Sequence, residues 1–143
     1  LPGVKDVSEN IRAVSIVDRY LEHTRAYVFY NRGKPRYLIG SADLMTRNLD
    51  YRVEVLCPVL DPEAQRILQD TLDQQWHDNV RARVLDRQQL NHRVRSKKKS
   101  AKIRSQESIH CYLGTGKLPR YPKSRMNQPT RRRRKQAPSR KAP

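Results

Sequence analysis

Cysteine, glycine and the non-tyrosine aromatics are scarce in this 143-residue chain, which has two cysteines, five glycines, one tryptophan and one phenylalanine. Cys57 and Cys111 lie far apart with no ligand-like spacing, which excludes a disulfide framework and a thiolate zinc site and favours a reducing compartment. The four histidines, at 23, 77, 92 and 110, are too scattered to suggest zinc. No signal peptide is expected at the head of the chain, and no apolar run approaches the roughly 20 residues that cross a bilayer. A cytoplasmic address is expected, with membrane association as the alternative for so basic a chain.

Acids are missing from one part only. Residues 1 to 92 hold 13 Lys/Arg against 13 Asp/Glu, whereas residues 93 to 143 hold 18 Lys/Arg against the single acid Glu107, so the whole net charge of +17 sits in the last third. The front has the composition of one neutral globular domain. The back carries Lys97 to Lys99, Arg131 to Lys135 and five prolines after Leu118, too much charge and too few apolar side chains to bury a core. Residues 114 to 143 are therefore expected to form a disordered basic tail. Such a tail holds polyanions non-specifically by counterion release, or serves solubility alone.

The elements follow from periodicity and turn chemistry. Leu-Pro-Gly-Val is an extended lead-in without a starting methionine, so a piece of a longer chain is expected. Ala13 to Val17 is a short β-branched run. Arg25 to Tyr30 alternates as a strand, Asn31-Arg-Gly-Lys-Pro supplies a turn, and Arg36 to Gly40 is the return strand. Tyr51 to Cys57 is expected to be another strand, with Tyr51, Val53 and Val55 facing the core and Arg52 and Glu54 facing away. Asp61-Pro62-Glu63 opens a helix whose Ile67, Leu68, Leu72 and Trp76 form one stripe. Val80 to Leu85 is a last strand and Lys102 to Leu113 a weaker helix. Together these predict an α/β fold in which helices pack on a sheet.

Two stretches carry chemistry. Leu21-Glu22-His23-Thr24-Arg25 sets a histidine before a strand with a cation two residues on, so that both side chains address one ligand. "IGSADLMTRNLDYRVEV", residues 39 to 55, gathers a hydroxyl, a carboxylate, an amide and two arginines around a chain break at Gly40-Ser41. A turn has no need of guanidinium groups, and their planar charged forks suit phosphate oxygens. A hairpin between the two stretches folds the second back beside the first.

"VSENIRAVSIVDRYLEHTR" at 7 to 25, the 39 to 55 stretch, "DNVRARVL" at 78 to 85 and "KIRSQESIHCYL" at 102 to 113 together resemble the C-terminal catalytic domain of bacterial polyphosphate kinase, the type with phospholipase D-like domains. The resemblance implies a phospholipase D-like mixed sheet with packed helices over residues 1 to 113, truncated at its N-terminus. It implies reversible transfer of the terminal phosphoryl group of ATP to polyphosphate. It also implies ATP/ADP and Mg²⁺ with the metal's ligands outside this chain, the remaining kinase domains as partners, and a homo-oligomer at full length.

By the same resemblance His23 matches the last-domain histidine that contacts nucleotide phosphate and serves as general acid/base, not the phosphorylated nucleophile of the preceding domain. Arg47 and Arg52 resemble phosphate-facing arginines. Arg25 and Ser41 complete the expected phosphate-binding set, and Ser41 and Asp43 stand where phospholipase D-like sequences have Gly-Ser-x-Asn. Arg25 replaces the lysine of the phospholipase pattern, Tyr30 its aspartate and Asp43 its asparagine, which weakens a phosphodiesterase reading. With half a site present, the chain alone is expected to be inactive. A basic nucleic-acid-binding module and a phospholipase D-like phosphodiesterase half-site are the alternatives.

Overall fold

The computed structural model describes residues 1–94 and 100–120. The Lys97 to Lys99 run and residues 121–143 of the expected tail lie outside the described residues. In chain order the elements are β1 (Ala13–Ile16), β2 (Ala26–Phe29), β3 (Arg36–Gly40), α1 (Thr46–Tyr51), β4 (Leu56–Val59), α2 (Pro62–Trp76), β5 (Ala82–Leu85) and α3 (Ser105–Thr115). The mixed α/β architecture expected from the sequence is the one found, with its strands divided between two antiparallel ladders.

β1 pairs with β5, Ala13 opposite Leu85 and Ile16 opposite Ala82. On the far edge of β5, Val84 N–H donates to the His92 carbonyl and Val94 N–H to the Ala82 carbonyl, which covers an edge that would otherwise be open. The second ladder runs in the order β2-β3-β4. Ala26 faces Ile39 and Phe29 faces Arg36, closed by a turn in which Asn31, Arg32 and Gly33 all have positive φ. β3 then pairs with β4 from Tyr37–Val59 to Gly40–Leu56. Because neighbours are antiparallel, the start of β2, the end of β3 and the start of β4 share one end of the ladder. His23 to Arg25, Ser41 to Asp43 and Val55 flank those three points.

The expected strand at Tyr51 to Cys57 is corrected. Residues 46 to 51 are helical, Arg52 begins extended chain, and pairing starts only at Leu56. The alternation of Tyr51, Val53 and Val55 does not report a core-facing side, since all three are exposed and Val53 is 99% so.

α2 begins as the sequence predicts. Asp61 caps it by accepting the Ala64 N–H at 2.7 Å, and Pro62 takes the first helical turn. Its stripe of Ile67, Leu68, Leu72 and Trp76 is half-buried. The helix meets β3 through Tyr37, whose hydroxyl donates to Gln69 at 3.1 Å. It meets α3 through Tyr112, whose hydroxyl donates to Asp70 at 2.7 Å and accepts from Arg66 at 3.0 Å. α3 runs to Thr115, past the expected domain end at 113, and stops at Gly116 in a left-handed conformation. Its buried anchors are Ser105 and Tyr112, whereas Leu113 is exposed.

Candidate functional site

His23 and Arg25 do meet, as residues two apart on extended chain should. The Arg25 guanidinium contacts both nitrogens of the His23 ring, at 3.2 Å to Nδ1 and more closely at Nε2. Asp43, brought across from the end of β3, accepts from Arg25 Nε at 2.8 Å and lies 3.3 Å from His23 Nε2. Arginine can only donate, so His23 Nε2 must offer it a lone pair; a protonated Nε2 would donate to Asp43 instead. One ring nitrogen cannot do both. The imidazole thus has two hydrogen-bonding states over one guanidinium–carboxylate pair. Its side chain is 63% exposed, open to a ligand.

The pair is tuned by its own charges. The hydrogen bond from Arg25 holds the Asp43 carboxyl below the ordinary aspartate value, with His23 adding to the effect. Asp43 in turn pushes the Arg25 guanidinium up, so Arg25 is charged throughout. In the sequence, Asp43 has no role beyond its place in the Gly-Ser-x-Asn pattern. Its signal is that substitution itself: a carboxylate where the pattern has an amide, in a chain that also has arginine where the pattern has lysine.

Ser41 is engaged by the chain itself. Its hydroxyl donates to Glu54 and accepts the Val55 N–H at 3.1 Å, and its own N–H donates to the Val55 carbonyl at 3.1 Å. Glu54 also receives the Asn48 amide at 2.8 Å. The hydroxyl of Ser41 and then the amide of Asn48 hold the Glu54 carboxyl below its ordinary value. Gly40 allows this approach: a Cβ there would meet Leu56 Cδ1 at 2.8 Å and the Val55 carbonyl at 3.1 Å. The break at Gly40-Ser41 is therefore a close crossing of two backbones. Asn48, buried on α1, and Glu54 were missed as structural partners because their contact needs the helical turn that the strand reading hid.

Arg52 follows the last residue of α1. Among the described residues it has no ion pair within 4 Å, but Glu54 feels the charge of both Arg52 and Arg25. Arg52 and Glu54 are therefore linked by charge through space. Arg47, on α1, makes no hydrogen bond with the His23 cluster among the described residues. The structure thus brings together His23, Arg25 and Asp43 directly and links Arg52 through Glu54. No group of three or more His, Cys, Asp or Glu able to hold a metal is found among the described residues.

What fold and geometry define is a mixed α/β domain presenting an exposed histidine held by a guanidinium–carboxylate pair at one end of an antiparallel ladder. The family model described as "Polyphosphate kinase C-terminal domain 2" matches residues 1–106, and the chain belongs to that family. It is 44% identical over 113 residues to the polyphosphate kinase of Escherichia coli K12, a match covering 79% of this chain and 16% of that protein. With the polyphosphate kinase of Vibrio parahaemolyticus it shares 46% identity over 114 residues, at the same coverages. The crystal structure of polyphosphate kinase from Porphyromonas gingivalis superposes with a TM-score of 0.72 at 42% identity, covering 78% of this chain and 17% of that one. The chain thus spans about a sixth of the length of the relatives it matches.

Proposed function

We propose that this domain supplies one wall of a polyphosphate kinase active site, where the terminal phosphoryl group of ATP is exchanged with polyphosphate. The observation that carries it is the exposed His23 ring seated on the Arg25–Asp43 pair, in a chain whose named relatives are polyphosphate kinases. Phosphoryl transfer asks the protein mainly for positioning and for neutralisation of charge on the transferring oxygens. Arg52 and Arg47 have charge to spare for this. Arg25, already matched to Asp43, sets the hydrogen-bonding state of His23, which holds or moves a proton at the phosphate it faces. Ser41 contributes through the fold of the 41–55 stretch.

ATP or ADP and polyphosphate are the proposed ligands, and the remaining length of the kinase is the proposed partner. The nucleophile and the metal ligands belong to that remaining length, so the domain alone is not expected to turn over. The test is to titrate the chain with inorganic tripolyphosphate and follow the His23 imidazole by NMR. Saturable shifts at His23, reduced in Arg52→Ala, are expected; an imidazole indifferent to tripolyphosphate would overturn the reading.

A further inference from the structure

His23 hangs in a stretch, residues 17 to 25, that has no helix or strand of its own. Its downstream end is fixed by β2 and by the Gly40 N–H donating to the Arg25 carbonyl at 2.9 Å. Its upstream end leaves β1 at Ile16, opposite Ala82, and residues 18 to 24 have no ladder partner among the described residues. Side chains from the start of α3 take that place. Gln106 accepts the Tyr20 N–H at 3.0 Å and donates to the Tyr20 carbonyl at 2.6 Å, so one amide satisfies both backbone groups of one residue, as a neighbouring strand would. Arg104 grips the Asp18 carboxylate with two parallel bonds of 2.7 and 2.8 Å, and Arg81 adds a longer contact at 3.4 Å. Gln75 of α2 reaches Glu22, the residue before His23, at 3.4 Å.

The start of α3 is itself anchored. Asp78, fully buried, accepts the N–H groups of Val80, Arg81 and Ala82 on one oxygen and that of Ser105 on the other. Asn79 exchanges backbone and side-chain bonds with Ile103 and holds the Ala101 carbonyl. Ser108 donates to the buried Gln74 at 2.7 Å. The stretches 78 to 85 and 102 to 113 share in the family resemblance yet hold no proposed ligand contact. They form a rigid bracket that grips the chain at Asp18 and Tyr20, just upstream of His23.

We propose that Arg104 and Gln106 are positioning residues for His23: through Asp18 and Tyr20 they fix the upstream end of its segment, and so set where the imidazole stands against Asp43 and the incoming phosphate. This rests on the phosphate-handling reading of His23. A guanidinium fork and a two-way amide are directional, and a shift of about 1 Å at a reacting group lowers efficiency by orders of magnitude.

The test uses the 143-residue chain with two readouts, hydrogen exchange of residues 18 to 25 without ligand and the His23 imidazole NMR signals with and without inorganic tripolyphosphate. Gln106→Ala is expected to speed exchange at Tyr20 to Thr24 at least about tenfold, to spread the imidazole signals over several conformers, and to weaken tripolyphosphate binding about threefold to tenfold. Arg104→Lys, which keeps the charge and loses the fork, should give the same pattern more weakly. Tyr112→Phe, which cuts the α2–α3 bonds at the other end of the helix, should lower the melting temperature and leave His23 unchanged. Unaltered exchange and imidazole signals in Gln106→Ala would overturn the inference, as would an equal disturbance of His23 in Tyr112→Phe. Wild-type chain that ignores tripolyphosphate would instead sink the phosphate reading, and the ligand-free exchange would still decide the positioning role.

Discussion

Asp78 and Glu54 are both carboxylate hubs, and they end in opposite surroundings. Asp78 is fully buried and collects backbone N–H groups from the α2–β5 corner and from the first residue of α3. Burial pushes its pKa up, yet the N–H donors of Ser105, Arg81 and Ala82 outweigh that, and the net displacement is downward. Glu54 collects side chains, Ser41 and Asn48, on a face where Leu44, Tyr51 and Val53 stand in solvent. The first hub fixes backbone and leaves nothing to adjust. The second fixes only side chains and leaves the Arg52 charge beside it without an ion pair among the described residues. The difference separates a bracket from the proposed binding face: a buried anchor behind the His23 segment, and a charge without an ion pair among the described residues where the proposed phosphate would arrive.

The sharpest way to break that comparison is to remove each hub. Asp78→Ala strands several buried N–H donors and should cost on the order of 4 kcal/mol, enough to abolish cooperative unfolding in a domain this small. Glu54→Gln should move the melting temperature by a few degrees at most. Thermal unfolding of the two variants side by side checks this, and equal losses would erase the distinction.

Next in size is Arg52→Lys, measured in an enzyme carrying this domain at full length. It keeps the charge and loses the planar fork, and turnover should fall about tenfold to a thousandfold, or about 1.4 to 4 kcal/mol of transition-state stabilisation. Melting should be unchanged, because Arg52 holds no ion pair among the described residues. Undiminished turnover would remove Arg52 from the phosphate face.

Smaller effects belong to the chain's other source of positive charge. Cutting after Arg120 removes nine Lys/Arg. Polyphosphate binding should weaken, and its dependence on log salt should flatten by about 0.7 to 0.9 for each phosphate that no longer has a cation beside it. Binding measured from low to high salt on both lengths gives that slope.

The smallest effect is on pH. Asp43 sits below its ordinary 3.8 in the folded chain. A depressed carboxylate contributes fully above its unfolded value, and that contribution fades as pH falls through the folded value. The melting temperature should therefore be insensitive to this group above about pH 5 and decline in stronger acid. Asp43→Asn should show a shallower acid decline than wild type.

How much of this was legible follows from where the determinants lie. The β2–β3 hairpin is written locally, in alternation and the Asn31-Arg32-Gly33 turn. So is the start of α2, in Asp61-Pro62-Glu63. His23 and Arg25 were legible as a pair because two-residue spacing on extended chain is geometry. The six-residue α1 was not, because so short a helix has little intrinsic stability and is held by Asn48 reaching Glu54, a contact between residues that alternation assigned to a strand. Asp78 was invisible for a related reason: its partners lie as far as 27 residues away, and an aspartate just past a helix end reads as ordinary loop polarity. Nothing local marks Gln106, and its 86-residue reach to Tyr20 exists only in three dimensions.

The central claim is that this domain contributes His23 to a kinase site completed by the rest of the enzyme. The most direct measurement is polyphosphate synthesis from ATP, and ATP regeneration from polyphosphate, by three proteins with Mg²⁺ present: the chain alone, the chain joined in place of the matching domain of a full-length relative, and that fusion with His23→Ala. The account predicts no turnover from the chain alone, turnover in both directions from the fusion, and its loss in the variant with melting unchanged. Turnover by the isolated chain, or a fusion that works equally well without the His23 imidazole, would contradict it.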